Sequence, residues 1–111
     1  MTDDQINAAI AEACGWTRVN ARHRSGIAPN ADYVGGEFIP NYCADLNAMH
    51  EAEQILKRMG PEYARWLLEI VSRDAGPGIF YAAGSFAHIK AKARQRAEAF
   101  LRTLGKWEDA K

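Results

Sequence analysis

Residues 16–22 read Trp16-Thr17-Arg18-Val19-Asn20-Ala21-Arg22, and their period decides the fold class. Thr17, Val19 and Ala21 alternate with Arg18, Asn20 and Arg22, so a strand here would present one apolar and one cationic face. Everything that flanks this stretch has helical period instead. Upstream, Ile6, Ala9, Ile10, Ala13 and Cys14 recur at spacings of three and four. Thr2 and Gln5 have the spacing of a capping box, and Gly15 supplies a left-handed stop. A helix over 3–14 followed by a strand over 16–22 is the expectation.

Downstream, Gly26, Pro29, Asn30, Gly35, Gly36 and Pro40 break the chain. Residues 25–42 therefore read as a long loop, with Glu37-Phe38-Ile39 as a short strand inside it. Asp45 can cap a second helix whose apolar face is Leu46, Met49, Ala52, Ile55, Leu56 and Met59. Gly60-Pro61 ends it and opens a third helix, carrying Tyr63, Trp66, Leu67, Ile70 and Val71 up to Asp74. Gly76-Pro77-Gly78 is a breaker, and Ile79 to Ala82 is a further strand candidate. The last helix is expected from about Ser85 to Leu104, with Gly105 beyond its end. About four helices and a two- or three-stranded sheet predict an α+β fold in α–β–α layers, one domain over residues 1–111.

Composition sets outer limits. The chain has 111 residues, 48% apolar and 25% charged, with 14 basic and 14 acidic side chains. A net charge of zero gives no overall field for nucleic acid or an anionic membrane, and neither is expected as a partner. No apolar run approaches the roughly 18 residues that span a bilayer. The acidic start Met1-Thr2-Asp3-Asp4 is unlike a signal peptide, and two cysteines make no disulfide framework. A cytoplasmic setting is the expectation.

Three stretches carry a family resemblance: INAAIAEACGW (Ile6 to Trp16), IPNYCADLNAMHEAEQIL (Ile39 to Leu56) and ARQRAEAFLRTLGKWE (Ala93 to Glu108). Together they resemble the phage ABA sandwich domain family of small bacteriophage and prophage proteins. The resemblance implies an α–β–α sandwich, a viral origin and work in the host cytoplasm. It brings no catalytic residue. Pro40-Asn41-Tyr42 reads physically as a turn, Asp45 as a cap and Asn47 as a polar residue on backbone, a joint that serves the fold.

Charge is segregated beneath the neutral total. Between Glu12 and Asp32 lie Arg18, Arg22, His23 and Arg24 and no acid; between Asp74 and Glu98 lie His88, Lys90, Lys92, Arg94 and Arg96 and no acid. Brought together, the two stretches would line a pocket for a phosphate-bearing anion, with paired guanidinium forks, a helix N-terminus near Ser85 and flexible glycines. Tyr81 and Phe86 are the candidate stacking platforms. The plainer reading of the same charges is a solvated strand face and a basic helix surface.

The enzyme readings are thin. Cys43 and His50 are separated by a turn and a helix start, which does not bring nucleophile and base within reach. His50 and Glu53 are one helical turn apart, but a catalytic zinc needs three protein ligands. No cofactor or metal is expected. The sequence thus predicts a non-enzymatic, homodimeric or larger protein. It would hold a small nucleotide-like anion, such as a cyclic nucleotide or ADP-ribose-type signal of host defence. Its ligand contacts would be Arg18, Arg22, Arg24, Lys92, Arg94 and Arg96, with Tyr81 and Phe86. The alternative is a module that binds a host or virion protein through the aromatic surface around Trp66 or Trp107.

Overall fold

The structure is a computed structural model and describes residues 1–29, 37–75 and 91–108. Among these residues the fold is α+β: four helices and a three-stranded antiparallel sheet packed against helices. Helix α1 (Asp3–Ala13) begins as its sequence dictates: the Gln5 amide donates to Thr2 Oγ1 at 3.2 Å, and Thr2 N–H donates to Gln5 Oε1 at 2.9 Å. It stops at Gly15, whose φ of +99° would strain any residue with a Cβ.

Strand β1 (Thr17–Asn20) pairs with β2 (Ser25–Ile27), and β2 pairs with β3 (Glu37–Phe38), in the order β1-β2-β3. The expected strand over 16–22 is therefore shorter. Ala21 and Arg22 belong to the turn over 21–24, because the chain folds back to pair with Ser25–Ile27. That second strand falls in what the breakers suggested was loop; three residues around a glycine show no alternation to read. The short strand at Glu37–Phe38 is present.

Helix α2 (Leu46–Glu53) starts on the Asp45 cap, whose carboxylate accepts from Asn47 N–H at 2.9 Å and Ala48 N–H at 3.3 Å. It tightens into a 3-10 turn at Gln54–Leu56 before α3 (Gly60–Ala75). The last helix, α4 (Ala93–Thr103), starts later than expected. Residues 91 and 92 are not helical, and Lys92 sits in extended backbone with its N–H on Gln95 Oε1 at 2.9 Å. The strand candidate at 79–82 and the region around Ser85 lie outside the described residues.

Helix α4 is the hub, packing against α1, α2 and most extensively α3, while the sheet packs through β1 against α1. Ala97, Ala99, Phe100 and Leu101 are fully buried and meet Ile6 and Ile10 of α1, Met49 of α2 and Leu67 of α3 in one core. The small alanines let helices approach closely around Phe100, the largest fully buried side chain. Asn7 ties the loop to this frame: it is buried, donates to Asn41 Oδ1 at 3.2 Å and accepts from Cys43 N–H at 3.2 Å. No helix among the described residues is long and apolar enough to cross a membrane.

Candidate functional site

The cationic side chains of the first basic stretch are carried by a hairpin with a bulge. Thr17 pairs with Ile27 and Asn20 with Ser25, so Arg18 and Val19 together stand opposite Gly26. Arg18 absorbs the extra residue at φ +50°, and Arg24 closes the turn at φ +48°. A Cβ on Gly26 would lie 3.3 Å from Thr17 O and from Trp16 Cε3. Trp16 and Val19 both pack on the core, so the side of Gly26 is the inner face. Its neighbour Ser25, with cross-strand partners Asn20 and Phe38, lies on the outer face. Phe38 is 77% exposed there. Arg18 and Arg22 are exposed and Arg24 half-buried, and among the described residues no carboxylate pairs with any of the three.

The second basic stretch is spent differently. Arg94 is exposed and its Nε donates to Asp3 Oδ1 at 3.0 Å, joining the start of α4 to the start of α1. Arg96 is only 7% exposed; its side chain faces the core, with Nη1 3.4 Å from Glu53 Oε2 and Nε 3.5 Å from Ala91 O. Of the described cations in this stretch, Lys92 is the one left exposed without a carboxylate partner among the described residues. Tyr81 and Phe86, the expected stacking platforms, lie outside the described residues, as do His88 and Lys90. Phe38 pairs with Ser25, and the next amide, Ile39 N–H, donates to Arg24 O at 2.9 Å, so this exposed aromatic adjoins the turn that carries Arg24. The sequence offered Phe38 only as part of a strand.

The groups considered for catalysis are engaged elsewhere. His50 Nδ1 is 3.3 Å from Glu53 Oε1, so the histidine faces its helix neighbour. Cys43 Sγ is 3.8 Å from Asp3 O, and burial, with Asp3 close by, pushes its thiol up to about 12. Burial likewise raises the Cys14 thiol, against a hydrogen bond with Tyr42. Both thiols are thus held as neutral SH, opposite to what a nucleophile needs. Tyr63 is raised too, by burial first and then by the Glu53 carboxylate. Among the described residues no three His, Cys, Asp or Glu side chains are grouped to hold a metal ion.

A second surface lies between α3 and α4, where Trp66, Glu69, Ile70, Arg73 and Arg102 line a groove of about 280 Å³. The Arg102 guanidinium sits between two indoles, 5.3 Å from the Trp66 centroid and 5.2 Å from that of Trp107. Its Nε donates to Glu98 Oε2 at 2.8 Å, and Arg73 holds the same carboxylate. Burial alone would raise the Glu98 carboxyl; the hydrogen bonds from Arg73 and Arg102 outweigh it and hold it below the usual range. Sequence reading picked out Trp66 and Trp107 but not this ionic triad. The four-residue spacing of Glu98 and Arg102 was its one local signal.

The molecule is thus a small α+β domain with two distinct surfaces, one cationic with an exposed aromatic and one built of indoles and arginine. Comparison with family models, with curated proteins and with solved structures returns no match.

Proposed function

We propose that this chain is a non-enzymatic binding protein for a small anionic ligand of nucleotide type, held at the β1–β2 hairpin and its turn. One observation carries the reading: three arginines with no carboxylate partner among the described residues share a single hairpin, whose second strand pairs with β3 and its 77% exposed Phe38. Arg18, Arg22 and Arg24 supply the charge-assisted donors that phosphate oxygens take, and Phe38 supplies a face on which a base stacks. The resemblance to phage ABA sandwich proteins extends the reading to a role: capture, without turnover, of a nucleotide-derived signal of host defence.

Thermal melting against a panel of mono-, cyclic and ADP-ribose-type nucleotides tests it. A ligand present at a hundred times its Kd stabilises the folded state by about 2.7 kcal/mol. For a domain of this size that raises Tm by roughly 10 °C or more. The shift should vanish in Arg22→Ala/Arg24→Ala and shrink in Phe38→Ala, and the ligand should be recovered intact after denaturation. A panel without any shift overturns the reading, and chemically altered ligand would make the protein an enzyme. A second reading, contact with another protein, is favoured at the α3–α4 groove by the Trp66–Arg102–Trp107 stack, since Trp and Arg dominate binding energy at protein interfaces.

A further inference from the structure

We infer that the outer stripe of α3 is a self-association surface, on which a second copy of this chain packs its own α3 in the antiparallel sense. The inference gives a partner to the α3–α4 face and is independent of anion binding at the hairpin. Glu62, Arg65, Trp66, Glu69 and Arg73 recur at spacings of three and four along α3, so they form one stripe. Trp66 is half-buried and the four charged residues are exposed. Within the chain, and among the described residues, Glu62, Arg65 and Glu69 make no ion pair; Arg65 lies only over the Trp66 ring, at 6.0 Å.

The order of charge along this stripe is acid, base, acid, base. Read against itself in reverse, it becomes base, acid, base, acid. An antiparallel second copy therefore sets Arg65 opposite the partner's Glu69, twice about a two-fold axis, and these pairs carry the match; Glu62 falls opposite the partner's Arg73, a guanidinium already held by Glu98 and Asp74 of its own chain. The two pairings share a centre at Leu67 to within about half a residue, less than ~1 Å at the rise of an α-helix. Trp66 lies beside that centre, where interface energy concentrates. A net charge of zero leaves no overall repulsion between copies.

Sedimentation or light scattering on the full chain over a concentration series, with Arg65→Glu and Glu69→Arg, decides the matter. Either single change sets like charges opposite each other across the axis and should weaken the dimer by roughly tenfold or more. An equimolar mixture of the two variants should regain the wild-type dimer, because each chain then meets its opposite charges. Both positions are exposed, and far-UV circular dichroism confirms that each variant is folded. Salt gives the same reading without mutation, since dilute salt should favour the dimer and high salt weaken it. A wild-type chain that stays monomeric throughout overturns the inference. So do single variants that dimerise like wild type, or a mixture that fails to recombine.

Discussion

The carboxylate of Glu98 accepts both terminal nitrogens of Arg73, Nη1 to Oε2 at 2.9 Å and Nη2 to Oε1 at 3.0 Å, and so fastens α4 to α3 across 25 residues of sequence. Glu98 is only 2% exposed, yet it sits among the most buried residues of the hub helix. Its third bond, from Arg102, extends the fastening to the two indoles. Asp74 continues the chain of contacts, accepting from Arg73 Nε at 3.0 Å and from Gln95 Nε2 at 3.0 Å.

Removing the Glu98 charge should therefore be costly. Glu98→Gln keeps the shape but leaves two guanidinium groups facing an amide. The expected loss is roughly 2–3 kcal/mol, less than for a fully dry pair because Arg73 reaches solvent. Thermal melting should show Tm down by roughly 10 °C. A Tm within a degree or two of wild type would remove the triad as a stabilising element.

The same carboxylates make the fold sensitive to acid. Arg73 and Gln95 hold the Asp74 carboxyl below its ordinary value, and Arg73 and Arg102 do so for Glu98. Each unfolded carboxyl binds its proton at higher pH than the folded one. Their contribution is therefore complete above about pH 5 and is lost as pH falls through the depressed folded values. Urea unfolding between neutral and strongly acid pH should show this decline, and Glu98→Gln should flatten it. An unchanged slope in that variant would assign acid sensitivity to other groups.

Thiol chemistry should be slow. With the Cys43 thiol pushed up to about 12, its thiolate fraction near pH 8 is roughly a thousandfold below that of a free cysteine. Labelling by a disulfide reagent should be retarded accordingly in folded protein and become fast on unfolding. The alkaline counterpart has the opposite sign to the acid one: a folded value above the unfolded one means stability is lost as pH rises from about 9 towards 12. Rapid labelling of Cys43 at neutral pH would contradict the burial seen here.

The hairpin separates stability from binding. Arg18 and Arg24 occupy left-handed backbone, which disfavours any residue with a Cβ. Arg18→Gly and Arg24→Gly relieve this strain but enlarge the freedom of the unfolded chain. Stability should lie between no change and a gain of about 1 kcal/mol in urea unfolding, while any nucleotide-induced Tm shift falls. A marked loss of stability would mean that these arginines serve the fold.

Much of the fold is legible along the chain because its signals are local. The Thr2–Gln5 box, the Gly15 stop, the Asp45 cap and the helical period of α3 each depend on residues within one turn of one another. The hairpin was half legible. Alternation from Thr17 revealed the first strand, but Ser25–Ile27 is too short and too glycine-centred to announce itself. Its existence depends on pairing across a bulge that places Arg18 at positive φ.

The charged residues mark where sequence stops being sufficient. Runs of like charge in the chain flagged Arg18, Arg22 and Arg24; in a hairpin that meets the core through Trp16 and Val19, Arg18 and Arg22 are exposed and Arg24 half-buried, and no carboxylate among the described residues pairs with them. For Arg94 and Arg96 the identical signal had a different outcome, since their acids, Asp3 and Glu53, are brought to them by helix packing. Likewise a glutamate at position 98 reads as solvated helix surface until α3 presents Arg73 to it. Period, caps and stops follow from bonds between neighbours in the chain and are fixed by residue order. Whether a charge meets water or an opposite charge is fixed by which helix faces it, and only the packed molecule determines that.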